Sequence, residues 1–296
     1  MKRIICVLMA IMMMAAILVA CGGDDDRIVV GSKQFTENIL LAEMYTQLIE
    51  NLTDIPVERR QNLGGTFVIF PALESGEVDI FPEYSGTVWN SILGIGELGA
   101  DSDEIYRRAV EGLYNDFNVT MFNPIGINNT FAIAVLQETA DELGLVTMSD
   151  LAAASSNLRF GANHLFFDRQ LDGYPRMVEI YGMNFSDSLR MDRALLYDAI
   201  VQGQLDAIEV FATESQLKRH GLVVLEDDLG MFPAYHASAI ARNDALERFP
   251  ELRDVLDLLE GRITNVRMQE LNYEVDFGNR TVADVARDFL QSEGLI

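Results

Sequence analysis

The fold class is decided by residues 27–52, which read RIVVGSKQFTENILLAEMYTQLIENL. Residues 27–30 form a short segment that is apolar after Arg27, which predicts a β-strand that ends at Gly31. Apolar residues then recur at helical spacing as far as Leu52, so residues 36–51 are predicted to form an amphipathic helix. A strand followed directly by a helix is the repeating unit of α/β folds.

The same alternation continues along the next thirty residues. Residues 57–61 predict a second strand, residues 62–66 predict a turn that opens another helix, and residues 78–81 predict a third strand. The sequence therefore predicts an α/β fold with largely parallel sheet.

An eight-residue pattern occurs twice. Residues 72–79 read ALESGEVD, and residues 199–206 read AIVQGQLD. Each copy predicts a helix end, a glycine cap and a short strand that contains an aspartate. Each copy is followed by an aromatic residue, Tyr84 or Phe211, and by a threonine. The repeat predicts two similar lobes, each with a loop beyond the carboxyl end of a strand.

Two later strands mark where the chain crosses between these lobes. One strand begins at Asn128, and the other covers residues 237–241. These positions predict that lobe 1 comprises residues 27–128 and 232–296, and that lobe 2 comprises residues 129–231. Two such lobes are expected to enclose a ligand cleft between them.

The N-terminal sequence predicts export. Two basic residues precede a 17-residue apolar run, residues 4–20, which is short for a membrane span and is followed by Cys21. Residues 1–20 are predicted to be a secretory signal peptide, and residues 21–26 a tether. We expect Cys21 to be lipidated, which would make the protein extracytoplasmic and membrane-anchored. A transmembrane anchor is the alternative.

Net charge and cysteine content exclude a class of partner and a source of stability. The formal net charge is −24, which argues against a nucleic-acid partner because phosphates require Lys and Arg. Cys6 lies within the predicted signal peptide and Cys21 is the predicted anchor, so no disulfide is expected. The fold must therefore be stabilised by its apolar core.

Catalytic motifs are missing from the sequence. His164, His220 and His236 lack the spacing of metal ligands, and neither a Gly-x-Ser-x-Gly elbow nor a phosphate-binding Gly-rich loop occurs. The sequence therefore predicts a protein that is not an enzyme and that uses no cofactor and no metal.

Seven short motifs stand beside predicted turns. They are residues 31–37 (GSKQFTE), 62–66 (NLGGT), 81–87 (FPEYSGT), 129–131 (NTF), 168–169 (DR), 172–175 (DGYP) and 232–235 (FPAY). Together and in this order they resemble the solute-binding subunits of osmoprotectant ABC importers, a family that binds glycine betaine, choline and carnitine. The resemblance implies a two-lobed periplasmic-binding-protein fold of type II, which closes on its ligand by hinge motion.

The resemblance implies an aromatic cage around a quaternary ammonium group. Its members would be Tyr84, Phe131, Phe211 and Tyr235. A trimethylammonium group has no N–H to donate, so aromatic faces are the best way to hold it.

The resemblance also implies a grip on the carboxylate of the ligand, at Lys33, Thr87 and Arg169. An ammonium group and an Arg fork suit an anionic group in a dry cleft. These contacts would orient a betaine with its cation in the cage.

This chain departs from the family pattern at three binding positions. Family members often have Tyr where this chain has Phe131 and Phe211, and Asp where it has Asn129. Loss of phenolic oxygens and a carboxylate weakens the negative potential around a bound cation. Glycine betaine and choline are the principal expectation, and a bulkier or more apolar betaine such as carnitine or ergothioneine is a hypothesis.

The sequence thus predicts a monomeric lipoprotein that captures a quaternary-ammonium compound for an ABC permease and ATPase on separate chains. Three alternatives remain open at this point. They are a binder of another small zwitterion such as ergothioneine or an amino acid, an extracytoplasmic enzyme, and a sensory ligand-binding module.

Overall fold

The computed structural model describes residues 27–96, 101–170 and 172–296. The predicted signal peptide, residues 1–20, and the predicted tether with Cys21 lie outside the described residues. None of the helices in the described ranges is long and apolar enough to cross a membrane.

Two five-stranded sheets form the frame of the described part of the chain. The strands are β1 (Ile28–Gly31), β2 (Val57–Arg60), β3 (Ile80–Tyr84), β4 (Val119–Met121), β5 (Phe131–Leu136), β6 (Arg159–Ala162), β7 (Asp187–Arg190), β8 (Ala207–Phe211), β9 (Leu222–Val224) and β10 (Ala237–Arg242). The first sheet has the order β2-β1-β3-β10-β4, and the second has the order β7-β6-β8-β5-β9.

Helices pack on these sheets. They are α1 (Thr36–Leu52), α2 (Thr66–Glu74), α3 (Ser85–Thr87), α4 (Ser102–Phe117), α5 (Gln137–Leu143), α6 (Met148–Ala154), α7 (His164–Asp168), α8 (Tyr174–Tyr181), α9 (Arg193–Val201), α10 (Ser215–His220), α11 (Asn243–Arg248), α12 (Leu252–Leu256), α13 (Asn265–Asp276) and α14 (Val282–Ser292). A π-helical segment, Val88–Ile92, continues α3, and short 3-10 turns occur at Ser155–Asn157 and Asp257–Leu259. In β1 the side chains of Ile28 and Val30 join one apolar cluster and Val29 joins another, so this strand is covered on both faces.

The predicted α/β class is confirmed, but each sheet is mixed instead of largely parallel. In the first sheet β1 is parallel to β2 and β3, whereas β10 is antiparallel to β3 and β4. In the second sheet β6 is parallel to β7 and β8, whereas β5 is antiparallel to β8 and β9. The reason is that β5 and β10 follow the segments that connect the two sheets. Each enters its sheet from the side where the parallel strands end, and therefore runs against its neighbours.

The repeated sequence pattern places two aspartates in equivalent positions. Asp79 Oδ2 accepts a 2.8 Å hydrogen bond from the backbone N–H of Val29 in β1. Asp206 Oδ2 accepts a 2.7 Å hydrogen bond from the backbone N–H of Arg159 in β6. The glycine three residues before each aspartate has left-handed backbone, with φ of +81° and +66°. The repeat therefore corresponds to a structural device that ties neighbouring parallel strands together.

We expect Asp79→Ala to lower the free energy of unfolding by about 2–3 kcal/mol and Asp206→Ala by about 1 kcal/mol. Asp79 is 4% exposed and lies within 4.0 Å of two guanidinium groups. Its Oδ2 accepts the hydrogen bond of the buried Val29 N–H, so alanine leaves that N–H without an acceptor. The side chain of Asp206 is 24% exposed, and water can replace part of its bond to Arg159. Urea denaturation of both variants measures the difference, and equal losses would contradict this reasoning.

Each sheet lies within one of the predicted lobes. The strands of the first sheet come from residues 28–121 and 237–242, and those of the second come from residues 131–224. The lobe bounds themselves, 27–128 with 232–296 and 129–231, stay a prediction.

A helix that follows the first sheet in sequence contacts the second lobe. Along α13, Gln269 Nε2 donates to the carbonyl oxygen of Ala212 at 2.8 Å, and Asn272 Nδ2 donates to that of Thr213 at 3.0 Å. Both acceptors lie between β8 and α10. The lobes are therefore joined by a side-chain interface in addition to the connecting segments.

Candidate functional site

The eight residues predicted to contact a ligand line one cavity of about 650 Å³. They are Lys33, Tyr84, Thr87, Asn129, Phe131, Arg169, Phe211 and Tyr235. The sequence reasoning missed ten others that line the same cavity, which are Phe35, Thr36, Glu37, Ser91, Thr213, Glu214, Ser215, Gln216, Asn272 and Asp276. The lining comes from both lobes, and a ligand contact for any of these residues stays a prediction.

Strand pairing sets the positions of two rings. Phe211 is the last residue of β8, Phe131 is the first residue of β5, and the two are partners across the antiparallel ladder. Their rings stack with centroids 5.0 Å apart and 27° between the planes. A directly opposed aromatic pair on one face of a sheet is positioned by the strand register, and Phe131 also packs against Phe166 and Phe232, so this wall of the cavity is preorganised.

A glycine makes room for Tyr235, which lines the cavity. A Cβ on Gly86 would lie 2.8 Å from the Tyr235 ring and 2.7 Å from the carbonyl oxygen of Ala234. Next to it, the Ser85 N–H donates to the carbonyl oxygen of His236 at 2.9 Å, and the His236 N–H donates to Ser85 Oγ at 3.0 Å. The glycine of the FPEYSGT motif is therefore required for this close packing.

Protein cations lie against both phenylalanine rings. The guanidinium carbon of Arg169 is 5.1 Å from the centroid of Phe131, and that of Arg193 is 4.1 Å from the centroid of Phe211. Such distances are within the range of cation–π attraction. Each of the two rings therefore already attracts a guanidinium group of the protein to one of its faces.

The cations of the predicted carboxylate grip already take part in ion pairs. Lys33 Nζ donates to Glu83 Oε1 at 2.5 Å, and both side chains are buried. Arg169 Nε donates to Asp172 Oδ1 at 2.6 Å, and this carboxylate raises the pKa of the guanidinium group above its ordinary value. A ligand carboxylate would thus join an existing ion pair instead of meeting an isolated positive charge.

Glu37 is a buried carboxylate in the cavity wall. It is 3% exposed and accepts hydrogen bonds from Tyr84 Oη at 2.7 Å and from Asn129 Nδ2 at 2.9 Å. Burial raises the pKa of Glu37. Burial, together with the charge of Glu37, also raises the pKa of Tyr84 well above its ordinary value. Glu37 is part of the GSKQFTE motif, but its spacing did not distinguish it from a solvated helix residue.

Glu214 adds a second acidic group to the wall. Its side chain accepts hydrogen bonds from Arg193 and Tyr197, and burial raises its pKa. It follows Phe211 by three residues, at the position that corresponds to Thr87 in the repeated pattern. The repeat was therefore the signal that could have identified it.

Two residues of α13 had no signal in the sequence. Asn272 is 5% exposed, and Asp276 accepts hydrogen bonds from Thr36 Oγ1 at 2.6 Å and Ser215 Oγ at 2.5 Å. They reach the cavity only because α13 packs across both lobes. Within residues 27–96, 101–170 and 172–296, no group of three or more His, Cys, Asp or Glu side chains is arranged to hold a metal ion.

Comparison with known proteins identifies the class of site. Residues 26–292 match the family described as the substrate binding domain of ABC-type glycine betaine transport systems. The chain is 33% identical over 265 residues to the carnitine transport binding protein OpuCC of Listeria monocytogenes, and the alignment covers 89% of this chain and 86% of that protein. It is 34% identical over 270 residues to the ergothioneine transport permease/ergothioneine binding protein EgtU of Helicobacter pylori, covering 90% of this chain and 48% of that protein.

The fold agrees with these relatives. A crystal structure of a glycine betaine/carnitine/choline ABC transporter protein superposes with a TM-score of 0.86 at 32% identity, covering 90% of this chain and 99% of that one. The predicted two-lobed periplasmic-binding-protein fold of type II is thereby confirmed. Proteins of this family bind small solutes outside the cytoplasm and work with the permease and ATPase of an ABC importer. This chain belongs to the family of substrate-binding domains of ABC-type glycine betaine transport systems.

Proposed function

We propose that this protein captures a quaternary-ammonium compound, such as glycine betaine, choline or a related betaine, in an aromatic cage. The cage consists of Tyr84, Phe131, Phe211 and Tyr235. The observation that carries the proposal is that these four rings, from both lobes, line one cavity of about 650 Å³. Each aromatic face adds up to about 2 kcal/mol to the binding of a desolvated cation.

The electrostatics of the cavity support a cationic ligand. Lys33 and Arg169 are each paired with a carboxylate, whereas the hydrogen-bond partners of Glu37 in the described part of the chain are hydroxyl and amide groups. A buried carboxylate without a charged partner is stabilised when a cation binds near it. The cavity therefore favours a positive group over a negative one.

The remaining predicted residues would orient the ligand. We propose that Lys33, Thr87 and Arg169 contact the carboxylate of a betaine, and that Asn129 borders the cage. Lys33 and Arg169 have further N–H groups beyond those used in their ion pairs, so each can donate to a ligand without breaking its present contact.

The cellular setting follows from the N-terminal sequence. We propose that Cys21 carries the lipid anchor after removal of residues 1–20, and that the monomeric protein delivers its ligand to a permease and an ATPase on separate chains. Mass spectrometry of the mature N-terminus tests the anchor, and an unmodified Cys21 would contradict it.

Ergothioneine is the second candidate ligand. One relative is named as an ergothioneine binding protein, and ergothioneine combines a trimethylammonium group with a carboxylate and an imidazole-derived ring. In such a complex the aromatic cage would hold the trimethylammonium group, and the polar residues around Glu37 would contact the ring.

Isothermal titration calorimetry of the purified protein tests the proposal. We expect micromolar or tighter binding of at least one of glycine betaine, choline, carnitine and ergothioneine, while proline gives no heat. Binding of proline with no response to any quaternary amine would contradict the aromatic cage and leave only a carboxylate-binding site.

A further inference from the structure

A second cavity lies beside the one that the predicted site residues line. We call the cavity of about 650 Å³ the ligand cavity. The second cavity has a volume of about 680 Å³ and is lined by residues of both lobes, among them Asn90 and Asp172. Phe131 and Arg169 line both cavities, so the two spaces meet at these side chains.

The side chain of Tyr235 lies where the two cavities meet. Tyr235 lines the ligand cavity, but Asn90, which lines the second cavity, donates from Nδ2 to Tyr235 Oη at 3.1 Å. Burial raises the pKa of Tyr235 above its ordinary value, and hydrogen bonds with Asn90 and Arg169 oppose that shift. The hydroxyl group of Tyr235 is therefore held from the side of the second cavity.

The backbone of Tyr235 is fixed, so only its side-chain torsions can move the ring. The Tyr235 N–H donates to Asn128 Oδ1 at 2.7 Å, and the Tyr235 carbonyl oxygen accepts from the Asn129 N–H at 3.1 Å. The ring also packs closely against Gly86. The bonds to the hydroxyl group therefore determine whether the ring stays between the cavities.

Asn90 is placed for this contact by an uncommon helical turn. It belongs to the π-helical segment Val88–Ile92, in which the Leu93 N–H donates to the carbonyl oxygen of Val88 at 2.9 Å. Val88 and Trp89 are buried and anchor the segment, whereas Asn90 is exposed. Short π-helical turns frequently occur at functional sites, which favours a role for Asn90 in the site.

We propose that Asn90 sets the size limit of the ligand site, as a positioning residue that holds Tyr235 between the two cavities. With the hydrogen bond in place, the ligand is confined to the ligand cavity. Without it, Tyr235 can turn aside, and a larger substituent on the ammonium group can enter the second cavity. The inference rests on the proposed function, because it assumes that Tyr235 is part of the cage.

Calorimetry of the purified protein with a matched pair of compounds tests this proposal. The pair is the tightest-binding of glycine betaine, choline and carnitine, and its analogue in which a benzyl group replaces one N-methyl group. The original protein is expected to bind the parent compound about 30-fold or more tightly than the analogue, because Tyr235 blocks the benzyl group. In Asn90→Ala this ratio should fall by about fivefold or more, since the ring no longer excludes the larger group.

A conservative variant separates positioning of Tyr235 from a general effect on the fold. Asn90→Asp has nearly the same shape and can accept a hydrogen bond from the Tyr235 hydroxyl group, so it should keep the original ratio within about twofold. Asn115→Ala is the control, because Asn115 is an exposed residue of α4 that lines neither cavity. It should leave both affinities unchanged.

A double variant links the effect to Tyr235. Tyr235→Phe keeps the ring but removes the hydroxyl group, so the ratio should fall at least as far as in Asn90→Ala. Adding Asn90→Ala to Tyr235→Phe should then change the ratio by less than about twofold, because two residues that act through one contact are not additive.

The outcomes distinguish this inference from the proposed function. An unchanged ratio in Asn90→Ala, additive effects in the double variant, or a ratio in Asn90→Asp as low as in Asn90→Ala would overturn the role of Asn90 and leave the cage intact. Similar affinities of the original protein for both compounds would overturn the size limit. Failure of every quaternary amine to bind would overturn the proposed function together with this inference.

Discussion

Replacing both Phe131 and Phe211 with leucine is expected to weaken the binding of a quaternary-ammonium ligand by about 100-fold or more. The two rings stack on each other across β5 and β8 and form one side of the cavity. Leucine retains most of the apolar volume but has no π face, so the loss measures cation–π attraction instead of packing. Calorimetry with the tightest-binding quaternary amine determines the change.

A phenylalanine outside the cavity provides the control for this prediction. Phe185 lies in the same lobe and stacks on Phe160 with centroids 4.9 Å apart, but it does not line the cavity. Phe185→Leu should retain ligand affinity within about twofold. If the Phe131→Leu, Phe211→Leu double variant binds as tightly as the original protein, the two rings are core residues and the cage is elsewhere.

Glu37→Gln is expected to reduce affinity for a quaternary amine by about tenfold or more, which corresponds to about 1.4 kcal/mol. The substitution removes the negative charge but leaves an amide oxygen that can accept the bond from Tyr84. Glu50→Gln, on the exposed face of the same helix, is the matched control and should bind normally. Unchanged affinity in Glu37→Gln would show that the carboxylate does not contribute charge to the site.

The pH dependence of binding provides a second test of the contribution of the Glu37 charge. Burial raises the pKa of Glu37, so the carboxylate takes up a proton as pH falls through that raised value, and cation affinity decreases. Glu37→Gln should make affinity less dependent on pH. The other titratable or charged groups around the cavity are Tyr84, Tyr235, Glu214, Lys33, Arg169 and Asp276, which the variant leaves in place.

The stability of the ligand-free protein should change in the opposite direction. Because the folded-state pKa of Glu37 is raised, the folded chain holds this proton more tightly than the unfolded chain, and stability is lost as pH rises through the raised value. Glu37→Gln is therefore expected to unfold at an equal or higher temperature than the original protein at pH 8. A lower melting temperature would mean that the weaker binding reflects damage to the fold.

The sequence predicted the features that depend on local order. Apolar periodicity located α1 to within one residue. The glycines of the repeated pattern, Gly76 and Gly203, have the left-handed backbone of the predicted caps, although the aspartates lie directly before their strands and not within them as predicted. These features are determined by neighbours a few residues apart, which is the range that a sequence pattern reports.

The features that depend on tertiary packing could not be predicted. The antiparallel direction of β5 and β10 depends on how the chain crosses between the sheets, and no periodicity records it. Asn272 reaches the cavity because α13 spans both lobes, more than two hundred residues beyond Glu37 in the sequence. The resemblance predicted that Lys33 and Arg169 belong to the ligand site, and both line the cavity. Their ion pairs with Glu83 and Asp172 became visible only in the fold.

The ion pair of Lys33 has a practical consequence for labelling. Residues 27–296 contain two lysines, Lys33 and Lys218. Lys33 is 5% exposed, whereas the side chain of Lys218 is 51% exposed and lies 3.3 Å from Glu270 of α13. An amine-reactive fluorophore will therefore attach to Lys218 in preference to Lys33. Lys218 lies on α10, where the two lobes meet, so we expect the emission of such a dye to respond to a hinge motion between the lobes.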